Sequence, residues 1–368
     1  MEILLLLAVA LLAFANGAND NFKGVATLYG SGLTGYRTAM ALGTAGALAG
    51  SFLSLWLAPG LFARFTGAGV IADSVISGHG FLPAVALGAA STVLAATRFG
   101  LPISTTHSLV GALAGAGWAA GGAGIDFARL ASLFLAPLLF SPLAAFALAA
   151  FLYLATGIAR PRPRAKQAHC LCIGQAASRR PVIAHGPAPA LVEFARLRIK
   201  SGGSDECHAF FPGRYLGIAA PQLPEMLHRV SALAVSVARG VNDAPKIAAL
   251  LWLTAAGSGG SVVLVGLAMA AGGLISGRRV AETMGRRITP LQPAEGLTAN
   301  LVTALLVLIA SRFSLPVSTT HVAVGSIAAL GIITRRGHTG TICRILLAWV
   351  TTLPLAAALG ALFYRAAI

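Results

Sequence analysis

Two short polar motifs interrupt long apolar stretches of this sequence, and each carries residues that can bind ions. The first reads G-x-N-D-x-x-K and includes Asn19, Asp20 and Lys23. A charge at the centre of a bilayer costs at least about 2.5–3.5 kcal/mol on insertion scales, so such residues are usually paired or face a cavity. Carboxylate and amide oxygens can bind Na⁺, and a carboxylate can carry a proton. We predict that Asn19 and Asp20 belong to a site for Na⁺ or a proton, called here the coupling-cation site. Lys23 would neutralise the aspartate or attract an anion.

The second motif reads P-x-S-T-T-H, and its three hydroxyl residues, Ser104, Thr105 and Thr106, begin two positions after the proline. Proline is favoured in the first turn of a helix, and serine or threonine as its N-cap. The free N–H groups and the positive dipole end of a helix start form an anion site. The three hydroxyls add donors without adding full charge, which suits a tetrahedral oxyanion that must be released again. The structural alternative is a capped hairpin whose hydroxyls bond to their own backbone.

Both motifs recur in the second half of the chain, in the same order. The first recurs at residues 240–246 and the second at 316–321, at offsets of 223 and 214 residues. Over the longer stretches 98–111 and 312–325, ten of fourteen positions are identical. This is an internal duplication, because chance is not a credible explanation. The second copies supply Asn242 and Asp243 to the predicted cation site, and Lys246, Ser318, Thr319 and Thr320 to the predicted anion site.

Other members of the motifs have structural interpretations. His107 and His321 close the two copies of the second motif, and we interpret them mainly as structural. Gly17 and Gly240 open the two copies of the first motif. We predict that a helix breaks just before each glycine, because a broken helix frees backbone carbonyls for a cation. The Asp–Lys pairs could alternatively form salt bridges that only lock the helices together.

The composition places the chain in a membrane. Hydrophobic residues make up 57% of the 368 residues and charged residues only 10%, whereas a soluble domain carries about 25% charged residues. No Asp, Glu, Lys or Arg lies within 38–63, 130–159 or 247–277. A helix needs about 20 apolar residues to cross the hydrocarbon core, so each of these stretches can hold a full crossing.

The positive charge indicates how the chain is oriented in the membrane and does not indicate nucleic-acid binding. The formal net charge is +16, but the basic residues lie mostly in short gaps between apolar stretches, where the positive-inside rule places them. The sequence therefore predicts an N-terminal transmembrane repeat (1–158), a basic cytoplasmic linker (159–225) and a C-terminal transmembrane repeat (226–368). We expect one short helix around Leu191–Lys200 in the linker.

Basic clusters also suggest how the two repeats are oriented. Residues 278–287 and 335–336 carry clusters that we interpret as cytoplasmic, so the second half crosses the membrane about five times. An odd number of crossings gives the halves opposite orientations, as in many transporters. The predicted fold is an all-α membrane protein with about ten to twelve transmembrane segments in two inverted repeats, with broken helices or re-entrant hairpins.

A group of His and Cys residues in the linker is the one candidate metal site. It comprises His169, Cys170, Cys172, Cys207 and His208. Their spacing matches no standard zinc pattern. We interpret the cysteines as free thiols in a reducing compartment, and we predict no cofactor and no metal beyond a Na⁺ at the coupling-cation residues.

The paired motifs resemble those of the inorganic phosphate transporter family, the PiT or PHO4-type permeases. The resemblance covers both hydrophobic halves and includes the stretch from Gly277 to Leu291. It implies phosphate import by symport with Na⁺ or H⁺, an inverted-repeat fold in the cell membrane, a homodimer, and a site built from the Asn-Asp and Ser-Thr-Thr segments.

This sequence departs from the family pattern in ways that keep two questions open. Lys23 and Lys246 stand where many members have the N-D-x-A-N-A pattern, and Asn300 stands where many have an acidic residue. The coupling ion thus remains open, as does a sulfate or other oxyanion as substrate. A passive anion channel of the same fold is a further alternative. An enzyme is disfavoured, because a hydrolase needs one asymmetric catalytic set and this chain duplicates its polar set.

Overall fold

The structure is a computed structural model, which describes residues 2–78, 80–122, 124–156, 169–182, 190–203, 206, 210, 215–219, 223–252 and 259–367. The chain divides into two compact units. Met1–Ala159 and His228–Ile368 together form one, called here the membrane unit, and Arg160–Leu227 forms the other, called the linker unit. Both hydrophobic halves therefore fold as a single compact unit.

The described helices of the first half are α1 (Glu2–Asp20), α2 (Ala26–Gly30), α3 (Tyr36–Leu57), α4 (Pro59–Phe65), α5 (Asp73–Ile76), α6 (Phe81–Arg98), α7 (Thr105–Ala119) and α8 (Phe127–Ala155). Those of the second half are α9 (Leu223–Trp252), α10 (Gly259–Ser276), α11 (Arg278–Glu282), α12 (Pro293–Arg312), α13 (Thr319–Ile333) and α14 (Thr339–Ala367). Ala131–Leu135 within α8 and Thr283–Arg287 after α11 are π-helical turns.

Among the described residues, seven helices are long and apolar enough to cross a membrane: α1, α3, α6, α8, α10, α12 and α14. Helix α9 carries several charges, but its 30 residues give a length of about 45 Å at 1.5 Å per residue. The prediction of an all-α, multi-pass membrane unit is confirmed.

Large apolar side chains cover the outer faces of the long helices. They include Leu139, Phe140, Phe151, Leu347, Val350 and Leu362, all at least 60% exposed. A water-soluble protein rarely exposes contiguous apolar surface on this scale. These faces are suited to lipid contact, while the polar motifs lie inside the unit.

Each short motif-bearing helix packs against the last long helix of the other half. Helix α7 contacts α14, and α13 contacts α8. The glycines that end the two fourteen-residue repeats allow this approach, because a Cβ on Gly111 would lie 2.5 Å from the Leu353 carbonyl oxygen and one on Gly325 would lie 2.6 Å from that of Pro142. The equivalent contacts in the two halves show that the sequence repeat is also a repeat of packing.

The glycines of the first motif likewise serve close packing, and the helix breaks predicted before them are wrong. Helix α1 continues through Gly17 and ends at Asp20, and α9 continues through Gly240. A Cβ on Gly17 would lie only 1.9 Å from the carbonyl oxygen of Met269 on α10. Small residues at such crossings let helix backbones approach in membranes. The chain does break in the first half, but after Asp20.

The linker unit contains a three-stranded antiparallel sheet in the order β2-β1-β3. Its strands are β1 (His169–Val182), β2 (Ala190–Gly203) and β3 (Tyr215–Ala219). The short helix predicted over Leu191–Lys200 is wrong, because alternating apolar residues there pair with β1 as a strand. Cys172 is disulfide-bonded, so the free-thiol expectation is wrong for this residue. Cys207 and His208 lie outside the described residues.

Candidate functional site

The two Ser-Thr-Thr segments have the same local geometry. Ser104 is the N-cap of α7 with φ −97° and ψ 116°, and Ser318 is the N-cap of α13 with φ −100° and ψ 118°. The hydroxyl of Ser104 accepts a hydrogen bond from the His107 backbone N–H at 3.1 Å, and that of Ser318 accepts from His321 at 3.2 Å. The prediction that these serines cap helices is confirmed, so two helix N-termini of opposite halves belong to the site.

Lys23 lies in the turn after α1, and its ammonium group is surrounded by oxygens. It donates to a carboxylate oxygen of Asp20 in a short contact and to the Asn19 side-chain oxygen at 3.0 Å. It also donates to the carbonyl oxygen of Ile103 at 2.9 Å and to the hydroxyl of Thr320 at 2.5 Å. Lys23 therefore links its own half to the Ser-Thr-Thr segment of the other half.

Lys246 repeats this arrangement with the halves exchanged. Its ammonium donates to the Val317 carbonyl oxygen at 2.6 Å and to the Thr106 hydroxyl at 2.9 Å. The nearest Asp243 oxygen is 3.9 Å away. Val317 and Thr106 are the repeat equivalents of Ile103 and Thr320. The two lysines thus make reciprocal contacts across the interface between the repeats.

The two aspartates meet at Asn16, a residue of α1. The Asn16 amide nitrogen donates to Asp20 Oδ2 at 3.1 Å and lies 3.4 Å from Asp243 Oδ2. Thr105 donates to the same oxygen of Asp20 at 3.3 Å. Asn242 donates to Asp243 Oδ1 at 2.8 Å. The carboxylates of both repeats therefore share one hydrogen-bond network, as the sequence repeat predicts.

The two motif asparagines also hold the segments that precede the short helices. The Asn19 side-chain oxygen accepts from the Ile103 backbone N–H at 3.1 Å, and its nitrogen donates to the Thr97 hydroxyl at 2.9 Å. Asn242 accepts from the Ser311 hydroxyl at 3.1 Å. Their amide groups thus hold these segments in place through hydrogen bonds, and the Asn19 oxygen also accepts from the Lys23 ammonium.

Arg239 is a central residue that the sequence reasoning missed. Its guanidinium is 1% exposed and donates to Asn16 Oδ1 at 2.6 Å and, in a short contact, to Asn21. It also forms an ion pair with Asp243 at 3.6 Å. Its position directly before Gly240, inside an apolar stretch, was the available signal, because a charge within a membrane helix needs a partner or a function.

The two histidines lie where the repeats meet. The rings of His107 and His321 have centroids 4.4 Å apart, and Trp349 packs on His321 at 3.8 Å. The Trp349 indole N–H donates to the Pro102 carbonyl at 3.1 Å. These contacts give the histidines packing roles between α7, α13 and α14.

Known proteins resemble this chain over nearly its whole length. The model of the phosphate transporter family matches residues 16–360. The chain belongs to the phosphate transporter family. The prediction of a transporter and not an enzyme is thereby confirmed. A Pyrococcus horikoshii protein, provisionally named a phosphate permease, is 28% identical over 96% of this chain and 94% of its own length.

Two further relatives extend this comparison. The chloroplastic inorganic phosphate transporter 2-1 of Arabidopsis thaliana is 28% identical over 96% of this transporter and 70% of its own length. A solved structure titled "The sodium-dependent phosphate transporter" superposes with a TM-score of 0.74 over 99% of this chain and 98% of that one. At 20% identity, the superposition shows that the fold is shared.

The centre of this transporter carries an excess of positive charge. Among the described residues, three cations and two carboxylates form the cluster, each at most 4% exposed: Asp20, Lys23, Arg239, Asp243 and Lys246. The formal net charge of the cluster is +1. Buried charges need compensation, so an anion would be attracted to this place.

The structure brings most of the predicted site residues into this cluster. Thr105 donates to Asp20, Thr106 accepts from Lys246, and Thr320 accepts from Lys23. Thr319 lies buried in the first turn of α13. All twelve predicted residues are at most 5% exposed. The site is therefore closed to solvent in this conformation, so a ligand can enter only after a conformational change.

Proposed function

We propose that this transporter imports inorganic phosphate across the cell membrane by symport with H⁺ or Na⁺, with its linker unit in the cytoplasm. The observation that carries the proposal is the buried cluster with a net charge of +1 at the meeting point of two helix N-termini. Helix N-termini bind anions through free N–H groups and the helix dipole. Lysine is a phosphate-binding point charge.

The substrate would bind between the two Ser-Thr-Thr segments. Thr106 and Thr320 lie beside the ammonium groups of the opposite halves, so one tetrahedral anion can receive donors from both repeats. A serine hydroxyl that accepts from its own helix still has a proton to donate, which keeps Ser104 and Ser318 in the proposed binding set. With Thr105 and Thr319, the two segments offer six hydroxyls, and these together with the two ammonium groups form the proposed binding set for the oxygens of a phosphate.

The aspartates would carry the coupling. Moving one charge against the membrane potential costs about 2.3 kcal/mol per 100 mV. A phosphate dianion entering a negative-inside cell pays about twice that amount, so at least about two cations per dianion are needed to cancel the electrical cost. Asp20 and Asp243 are the acidic groups of the cluster, so they are the proposed carriers or ligands of the cation.

The reciprocal contacts support an inverted-repeat mechanism. Lys23 reaches Thr320 and Lys246 reaches Thr106, so each repeat holds the substrate segment of the other. Rocking of one repeat against the other would open the closed site to one side and then to the other.

The test is uptake of radiolabelled phosphate into proteoliposomes with imposed H⁺ or Na⁺ gradients, and with excess sulfate as competitor. We expect accumulation above the equilibrium level with one of the two gradients, unaffected by sulfate. Transport of sulfate but not of phosphate would mean that sulfate is the substrate, with the proposed mechanism unchanged. Phosphate flux without accumulation under either gradient would identify a passive channel and contradict the symport.

A further inference from the structure

Oxygen atoms surround the ammonium group of Lys23 in the way that they surround a metal cation bound to a protein. Its four oxygen partners are a carboxylate of Asp20, the amide of Asn19, the carbonyl of Ile103 and the hydroxyl of Thr320. Carboxylate, amide and backbone carbonyl oxygens are the ligands of hard cations in proteins. Transporters use unwound backbone of this kind to coordinate Na⁺. These four oxygens are called here the oxygen cage of Lys23. In this chain the positive charge inside the cage belongs to a lysine side chain and not to a free ion.

Two of these contacts recur around Lys246 in the second repeat. The Val317 carbonyl oxygen and the Thr106 hydroxyl lie 2.6 and 2.9 Å from its ammonium nitrogen, and Asp243 lies at 3.9 Å. Because the carbonyl and threonine contacts are present twice, they reflect the repeat and not one fortuitous side-chain placement.

A Na⁺ ion does not fit beside these lysines. It would need the oxygens of Asn19, Ile103 and Thr320 that already accept hydrogen bonds from the Lys23 ammonium, or the Val317 carbonyl that accepts from Lys246. At these positions Na⁺ would have to displace an ammonium group. The residues therefore disagree with Na⁺ as the coupling ion of the proposed symport.

We propose that Lys23 and Lys246 are tethered cations that replace Na⁺ in this transporter, so that phosphate uptake is independent of Na⁺ and driven by H⁺. This inference rests on the proposed phosphate symport. A tethered charge balances the anion in the closed state but returns with the carrier, so it cannot drive accumulation. The driving cation must bind and dissociate. A proton satisfies this condition, because it needs no set of oxygen ligands and displaces no ammonium group.

The test on the wild-type protein compares gradients in proteoliposomes. Radiolabelled phosphate uptake is measured with an inward H⁺ gradient in Na⁺-free choline buffer, and with an inward Na⁺ gradient at equal pH on both sides. Flux of radiolabelled Na⁺ is followed with and without phosphate. We expect accumulation with the H⁺ gradient alone, no stimulation by Na⁺, and no phosphate-dependent Na⁺ flux.

Either phosphate-dependent Na⁺ flux or accumulation that requires Na⁺ would overturn the inference while leaving phosphate symport intact. A chain that moves no phosphate under either gradient would overturn both. These outcomes are distinguishable and depend on the wild-type protein alone.

Substitution of the lysines gives a second, independent readout. In Lys23→Met or Lys246→Met the ammonium is removed and the cage oxygens remain, so we expect uptake to fall by at least about tenfold, which corresponds to 1.4 kcal/mol, and added Na⁺ to restore part of it. The matched control is Lys200→Met, because Lys200 lies in the linker unit and contacts Phe210. Monodispersity on size exclusion checks folding. Equal Na⁺ responses of Lys23→Met and the wild type would count against tethered cations.

Discussion

Replacing Gly240 by alanine should damage the transporter through packing alone. A Cβ at this position would lie 2.2 Å from the Ala47 carbonyl oxygen and 2.7 Å from the Ser51 backbone nitrogen. Both neighbours are backbone atoms of α3, so no side-chain rotation can relieve the contact. Atoms in contact prefer about 3.5 Å or more, and α9 must therefore move by about 1 Å. Overpacking of this kind costs about 1–3 kcal/mol.

The displacement reaches the site directly, because Asn242 and Asp243 are two and three residues further along α9. A misplacement of about 1 Å can lower a rate by about a hundredfold. We therefore expect Gly240→Ala to reduce phosphate uptake by one to two orders of magnitude. At about 2 °C per kcal/mol for a chain of this size, a cost of about 2 kcal/mol lowers the midpoint of thermal unfolding in detergent by about 4 °C.

Gly35→Ala is the matched control. This residue is the N-cap of α3 at φ −71°, and nothing lies within 4 Å of a Cβ placed on it. The same chemical change there should shift thermal stability only slightly, because the unfolded-chain gain of about 0.4–1 kcal/mol opposes the weaker N-cap preference of alanine, and it should leave uptake unchanged. Wild-type uptake and thermal stability in Gly240→Ala would refute the packing argument.

Three further predictions concern the polar network. Arg239→Met leaves a carboxylate of the site without its guanidinium, and breaking a buried ion pair costs about 3–5 kcal/mol, so the midpoint measured by differential scanning fluorimetry should fall clearly. Thr106→Val removes one oxygen from the Lys246 ammonium, and should raise the KM for phosphate in uptake assays, whereas an unchanged KM would exclude this hydroxyl from binding. Arg336→Gln removes the ion pair with Glu295. It should lower the midpoint of thermal unfolding by an amount corresponding to about 1–3 kcal/mol, and should change the KM for phosphate less than Thr106→Val does.

The sequence could predict the parts of the fold that depend on local pattern. Uncharged stretches predict membrane helices because burying a charge in lipid is costly, and the Pro-x-Ser-Thr-Thr motif predicts a capped helix start. Ser104 and Ser318 confirm this by accepting hydrogen bonds from the first turns of their helices. The repeat then predicts that two such starts belong to one site, because a duplicated set of buried polar residues is rarely retained for two separate reasons.

The contacts between the repeats could not be predicted in the same way. The contact of Lys23 with Thr320, 297 residues apart in the chain, depends on how two helix bundles pack, and no local spacing encodes that. The central role of Arg239 was missed for a related reason: its partners Asn16 and Asn21 are in the other half of the chain. Gly17 and Gly240 were misinterpreted because a close crossing and a helix break both favour glycine, and only the positions of α10 and α3 distinguish the two.

The reciprocal lysine contacts also explain why binding and movement would be linked. In the closed site each ammonium spans from one repeat to a threonine of the other, so opening must break two charge-assisted hydrogen bonds, each worth about 1.5–3 kcal/mol. A tetrahedral anion between the threonines can accept from both ammonium groups at once, and so replaces the contacts that hold the repeats together.

A double variant, Thr106→Val with Thr320→Val, leaves the lysines and their charge unchanged. If the hydroxyls only position the lysines, the two effects on phosphate binding add; if they share one anion, the free energies deviate from additivity by about 0.5–3 kcal/mol. Direct binding of radiolabelled phosphate to the purified single and double variants separates these cases, and strict additivity would contradict a single shared site.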